Sequence, residues 1–239
     1  MPCRDFTGTP GVAAEYCALL MLYVALSSLQ GRAMAAAFDE LAALGTGIQL
    51  TPGNHPTPGF QAHVAASGVA VRRHHGFSFD ARRRDTWRDG ACVTDAESVH
   101  PPEAGGPWRA WYESQPARPV LEIMYPGFEL GTGPEIEDAM TAGLPLAVDI
   151  SHVHIQRTQS AMSERTWRRL QDYSRIAEVH VSANDGRHDT HQPLRRDSFG
   201  LPWARERLAL GDPVVLECYM HRLSEGERRA QLDVLQGPP

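Results

Sequence analysis

The sequence contains no lysine, because all 23 of its basic residues are arginine. Schiff-base chemistry and the phosphate-binding P-loop both require a lysine, so both are excluded. The formal net charge is −6, so the chain as a whole does not attract nucleic acid by its charge. Its 11 histidines are the abundant reactive residue type, and the search for a functional site begins with them.

Cysteines and long hydrophobic runs are also scarce. The four cysteines form no C-x-x-C pair, which excludes a zinc knuckle and a disulfide framework and favours reduced thiols in a cytoplasmic protein. The most apolar segment, residues 13–26, is too short and too interrupted for a membrane span. Arg4 and Asp5 cancel in charge, so the basic start of a signal peptide is missing. We therefore expect a cytoplasmic protein with no membrane partner.

The length and the hydrophobic pattern together predict one domain. A chain of 239 residues suits a single globular domain, and we expect residues 1–20 to be an N-terminal extension and residues 21–239 to be the catalytic domain. Eight short apolar runs alternate with helix-like segments. The runs are residues 20–26, 47–50, 69–77, 96–100, 119–125, 144–150, 176–182 and 213–219.

This alternation predicts an α/β fold. Apolar runs without two-residue alternation are typical of parallel strands covered on both faces. Eight such units favour a single (β/α)8 TIM barrel with shortened or irregular helices, since this fold usually needs about 250 residues. The alternative is a doubly wound open sheet, although the G-x-G-x-x-G expected after its first strand is missing.

Carboxylates and histidines fall within or just after the apolar runs. Glu122, Asp149, His180 and Glu217 follow one another at intervals of 27, 31 and 37 residues, each compatible with one β-α-β step. A carboxylate flanked by apolar residues is costly to bury unless it is paired or binds a cation. Since a barrel places its active site at the C-terminal ends of its strands, we expect these four side chains to share one site.

Other candidate ligands occupy equivalent positions along the chain. They are His100, His152, Asp189, His191 and one of His74 and His75, since strand alternation should let only one of this last pair face inward. Mixed histidine and carboxylate ligands favour Zn, Mn, Fe or Co over Ca. The sequence therefore predicts one to three divalent metal ions per chain.

Four segments carry a resemblance to a known superfamily: LEIMYPG, LAVDISHVH, EVHVSANDGRHDTHQPL and VVLEC. They resemble the xylose isomerase-like barrels, also called apurinic endonuclease family 2 barrels, in a metal-binding Glu, an Asp-x-x-His, a His followed by a D-x-H loop, and a final Glu. The matching residues are Glu122, Asp149, His152, His180, Asp189, His191 and Glu217. With His100 and one of the strand-three histidines the set reaches nine, the number that the resemblance implies for the trinuclear zinc site of endonuclease IV-like members.

The chain also departs from the superfamily pattern. Members often have Glu-Asn where this chain has Glu122-Ile123, and a G-x-G after the D-x-H loop where it has the single Gly200. The superfamily hosts several chemistries on one scaffold, so the reaction stays open.

Our first expectation is an isomerase or epimerase of a small sugar-like hydroxycarbonyl compound. Glu122 and Glu217 would then bind metal and also transfer protons, while His152 and Arg187 would hold substrate oxygens. Trp108 and Trp203 are further candidates for substrate binding at the barrel mouth. A small-molecule substrate is favoured.

Three alternatives belong to other classes. The first is a phosphodiester hydrolase of the abasic-DNA kind, which would need metal ions and a basic rim. The candidates for that rim are Arg72, Arg73, Arg82, Arg83, Arg84 and Arg88, with Trp87 available to stack on a base. The second is a multinuclear iron oxidase or oxygenase. The third is a metal or ligand binder without catalysis.

Overall fold

A computed structural model describes residues 21–52, 56–77, 79, 86–105, 108–116 and 118–237 of the chain. The predicted extension over residues 1–20 lies outside these residues. The strands are β1 Leu22–Ala25, β2 Gly47–Leu50, β3 Val71–Arg73, β4 Trp87–Arg88, β5 Ala91–Cys92, β6 Ser98–Val99, β7 Val120–Ile123, β8 Leu146–Asp149, β9 Ile176–Val181 and β10 Val214–Leu216. The helices are α1 Met34–Ala42, α2 Pro58–Ser67, α3 Trp108–Glu113, α4 Gly133–Thr141, α5 Ile150–Thr158, α6 Glu164–Gln171, α7 Leu201–Ala209 and α8 Glu225–Gln236.

Eight parallel strands form a barrel. Their order across the sheet is β3-β2-β1-β10-β9-β8-β7-β6, which is chain order around a ring. An isolated bridge joins His74 to Ser98, and the His75 amide donates to the Ser98 carbonyl at 2.9 Å, so the two end strands also meet. The prediction of a (β/α)8 TIM barrel is confirmed, and the doubly wound alternative is wrong.

Because side chains alternate along each strand, one set packs against the helices and the other set points into the barrel interior. On β9, Val179 and Val181 belong to the apolar core shared with the helices, whereas Glu178 and His180 make polar contacts inside the barrel. All four side chains are buried. The barrel interior is therefore unusually polar at the level where the candidate ligands lie.

One helix and one pair of short strands were missing from the sequence prediction. Helix α5 begins immediately after β8, and the Asp149 carboxylate caps it by accepting from the backbone N–H groups of Ser151 at 2.6 Å and His152 at 3.4 Å. Strands β4 and β5 form a small antiparallel pair within a segment that has no clear pattern. None of the helices among the described residues is long and apolar enough to cross a membrane.

Candidate metal centre

Glu122 lies at the centre of the cluster, with four imidazoles around its carboxylate. Its Oε2 lies 3.0 Å from His74 Nε2, 3.3 Å from His100 Nε2 and 3.3 Å from His180 Nδ1. Its Oε1 lies 3.2 Å from His152 Nδ1. Because these residues follow or belong to five different strands and loops, only the closed barrel brings them together.

Asp189 connects the second half of the cluster. Its Oδ2 lies 3.2 Å from His152 Nε2 and also 3.2 Å from His191 Nε2. The Nδ1 of His152 lies 2.9 Å from the Ile123 carbonyl, which can only accept a hydrogen bond, so Nδ1 carries the hydrogen and the lone pair of the neutral ring is on Nε2, toward Asp189. Asp149 Oδ2 lies 3.5 Å from the same Nε2.

Glu217 completes the cluster at the end of β10. Its Oε1 lies 3.4 Å from His180 Nδ1. Every predicted metal ligand is therefore in or beside one cluster, and three groups in it have ligand atoms within 4.8 Å of one another. These groups are His74/His180/Glu217, His74/His100/Glu122 and Glu122/Asp149/His152.

Several buried atoms of the cluster make no well-aligned hydrogen bond with the described residues, although ring nitrogens lie 3.0–3.5 Å from some of them. They are both carboxylate oxygens of Glu122, Asp149 Oδ2, His180 Nδ1 and His191 Nδ1. Buried polar atoms are normally satisfied, and leaving one unsatisfied costs about 1–3 kcal/mol. A divalent cation satisfies such convergent lone pairs, so the residues present fit a metal centre.

The charges of the cluster shift its pKa values in opposite directions. Burial alone would raise the pKa of Glu122, but the neighbouring His180, His100 and His74 hold it well below its usual range. Burial would lower the pKa of His180, but three carboxylates raise it well above its usual value. Burial raises the pKa of Glu217 to about 7. The metal-free cluster thus balances buried imidazolium and carboxylate charges.

Both histidines of the third strand lie at the site, which corrects the expectation that only one could face it. His74 contacts Glu122, whereas His75 stacks on His100 with 4.0 Å between ring centroids. His75 has a φ of 41°, so the chain has left the extended conformation at this residue and the alternation rule no longer applies.

Sequence reasoning missed three polar residues next to the cluster and gave a fourth, Arg72, a different role. The three are Glu178, Gln49 and Ser98, all fully buried. Glu178 lies two residues before His180 on the same strand face, and this spacing was a usable signal. Arg72, a candidate for a DNA-binding rim, instead forms an ion pair with Glu178.

A cavity of about 500 Å³ opens next to the cluster. It is bordered by four histidines of the site together with Glu217. Ser27, Gln30, Thr51 and Tyr219 add polar groups, and a few apolar side chains complete the wall. This volume is within the range of small-molecule sites.

The predicted substrate-binding residues do not border this cavity. Trp203 packs on Trp167 and donates its Nε1–H to the Gln171 carbonyl at 3.3 Å, which places it in the helix layer. Trp108 is buried on α3, and Arg187 is exposed in the loop after β9. Arg82, Arg83 and Arg84 lie outside the described residues.

Comparison of this chain with models of known protein families and with curated proteins gives no match. The function proposed for it therefore depends on the geometry of the site and on the sequence resemblance.

Proposed function

We propose that this chain is a metalloenzyme that hydrolyses a phosphate ester of a small molecule at a multinuclear divalent-metal centre. The observation that carries the proposal is the position of Glu122, a carboxylate shared by two of the three ligand groups. A carboxylate can bridge two ions through its two oxygens, whereas a neutral imidazole nitrogen has one lone pair for one ion.

The ligand groups indicate how many ions the chain can hold. His74 occurs in two of the three ligand groups but can bind an ion in only one of them. Glu122 also occurs in two groups and can bind an ion in both, so the three groups together support two ions. The contact between Asp189 and His191, two predicted ligands outside these groups, supports a third position. The resemblance to endonuclease IV-like members, which implies nine ligands for three zinc ions, agrees with this number.

Hydrolysis suits this cluster better than proton transfer between two glutamates. Glu122 is 1% exposed and does not border the cavity, so it is poorly placed to take a proton from a substrate carbon. Glu217 does border the cavity and is the carboxylate placed to receive a proton from an attacking water. Bound divalent ions would supply activation of that water and neutralise charge on the leaving oxygen.

The cavity favours a small substrate. The described residues that border it include no arginine, so the positive charge needed by a phosphoryl group would come from the metal centre. Ser27, Thr51 and Tyr219 offer hydroxyl groups that could bind the rest of the substrate.

Isomerisation of a hydroxycarbonyl compound is the second candidate function. It is favoured by the small cavity and by Glu217, which could act there as an acid or base. This candidate requires exchange of a substrate C–H proton with solvent, which hydrolysis does not.

The first experiment is metal analysis by mass spectrometry on protein purified without chelator or added metal. Two to three zinc ions per chain, together with hydrolysis of bis(4-nitrophenyl) phosphate or 4-nitrophenyl phosphate, are the expected results. One manganese or cobalt and deuterium exchange into a sugar would favour the second candidate, and two or three irons would point to oxidation. Protein that takes up no metal on soaking contradicts both functions.

Two variants test the site itself. His180→Ala should lose metal and activity, because His180 contacts both Glu122 and Glu217. His63→Ala is the matched control, since His63 lies outside the cluster and pairs with Asp39 on α1. Equal metal content in the two variants would refute the ligand assignment.

A further inference from the structure

Glu178 is a fully buried carboxylate beside the metal ligands and is not itself one of them. Arg72 forms an ion pair with its Oε2. Its Oε1 lies 2.5 Å from Ser98 Oγ, 2.6 Å from His180 Nε2 and 3.3 Å from Gln49 Nε2. An ionised carboxylate only accepts hydrogen bonds, so each of these four neighbours must present a hydrogen to it.

The first consequence concerns His180. Its Nε2 carries a hydrogen and donates it to Glu178. The free lone pair of the neutral ring is then on Nδ1, which lies between Glu122 and Glu217 and has no hydrogen-bond partner among the described residues. Glu178 thus turns the metal-binding nitrogen of His180 toward the cluster.

The second consequence concerns His74, which Glu178 reaches through the hydroxyl group of Ser98. A hydroxyl group has one hydrogen, and Ser98 gives it to Glu178. Toward His74 Nδ1, 3.0 Å away, the same oxygen can only accept, so that nitrogen carries the hydrogen. The lone pair of His74 is therefore on Nε2, the atom that lies 3.0 Å from Glu122.

We infer that Glu178 is a positioning residue that fixes the ring tautomers of His180 and His74, so that each presents its correct nitrogen to the metal centre. The two histidines need opposite tautomers, and one carboxylate sets both, directly for His180 and through Ser98 for His74. This inference rests on the proposed metal function. Outer carboxylates of this kind orient metal-binding histidines, and their loss weakens metal affinity by about 10–100-fold.

The test is zinc binding and ring-nitrogen NMR of the full chain loaded with zinc alone. In the wild type we expect zinc on Nδ1 of His180 and on Nε2 of His74. Glu178→Gln replaces one carboxylate oxygen by an amide N–H group, which also donates hydrogen bonds and so conflicts with the four donors around it. His180 should therefore lose its fixed tautomer, and zinc affinity should fall by about 10–100-fold. Glu137→Gln is the matched control, because Glu137 also pairs with an arginine, Arg169, but does so between helices α4 and α6.

A second variant guards against misfolding of Glu178→Gln, which leaves Arg72 without its buried partner. Ser98→Ala breaks the link from Glu178 to His74 but keeps the direct contact between Glu178 and His180. The ring-nitrogen signals of His74 should therefore change while zinc stays on Nδ1 of His180. Zinc affinity within twofold of wild type in Glu178→Gln, or zinc on Nε2 of His180 in the wild type, would overturn the inference.

Failure of the proposed function gives a different result. A wild type that binds no zinc refutes the metal function, and the positioning role is then judged in the metal-free protein. There, the Nε2 proton of His180 should give a slowly exchanging signal that Glu178→Gln removes. Absence of that signal in the wild type would overturn the positioning role as well.

Discussion

Metal-free protein should lose stability as the pH rises from 6.5 to 9. Burial would lower the pKa of His191, but hydrogen bonding to Asp189 and the charge of Glu217 raise it to about 9. A histidine whose pKa is raised by folding stabilises the native state fully below its unfolded pKa, here 6.5, and this contribution disappears as the pH passes the folded value.

The size of the effect follows from the two pKa values. Raising a histidine pKa from 6.5 to about 9 corresponds to about 3 kcal/mol of stability. The pKa values of His152 and His180 are raised as well, so they act in the same direction. Burial lowers the pKa of His74 to about 4 and of His75 to about 2. Their folded rings are neutral throughout this window, and their unfolded rings lose the rest of their charge just above pH 6.5, which offsets only a small part of the fall.

The assay is urea unfolding in excess chelator at several pH values between 6.5 and 9. The free energy of unfolding should fall by about 3 kcal/mol or more across this range for the wild type. His191→Gln should show a smaller fall, since it removes one of the three protonated rings. Saturating zinc should abolish the fall, because histidine binds metal in its deprotonated form. Equal wild-type stabilities at pH 6.5 and 9 in chelator would refute this account of the cluster.

The barrel could be predicted because each strand carries its own signal. Every one of the eight apolar runs contains an observed strand. Helix α5 was missed because its first residues continue the apolar run of β8, so the cap at Asp149 lies inside an unbroken hydrophobic segment. Composition alone does not separate a strand from a helix there.

The sequence predicted which residues come together at the site but not the hydrogen bonds that connect them. Strand position alone brings Glu122, Asp149, His180 and Glu217 to one end of a barrel. The hydrogen bonds that orient His180 and His74 depend on Glu178 and on Ser98 of a distant strand, and no local pattern connects these residues. The turn that brings His75 to the site depends on a positive φ that its sequence does not indicate.

Three further predictions concern two side chains that pack in the core and one that belongs to the candidate metal centre. Trp203→Ala should lower the free energy of unfolding by about 3–5 kcal/mol in denaturant titrations, yet leave metal content unchanged, because the ring packs in the helix layer. Cys218 should resist thiol reagents at pH 8 until the chain unfolds, since burial raises its pKa to about 12. Glu122→Gln should remove at least one ion per chain, because it takes a shared carboxylate from two ligand groups at once. Glu217→Gln affects one of the three groups and should remove fewer ions. If mass spectrometry finds the same loss in both variants, Glu122 is not a shared ligand, and the multinuclear arrangement on which hydrolysis depends would have to be abandoned.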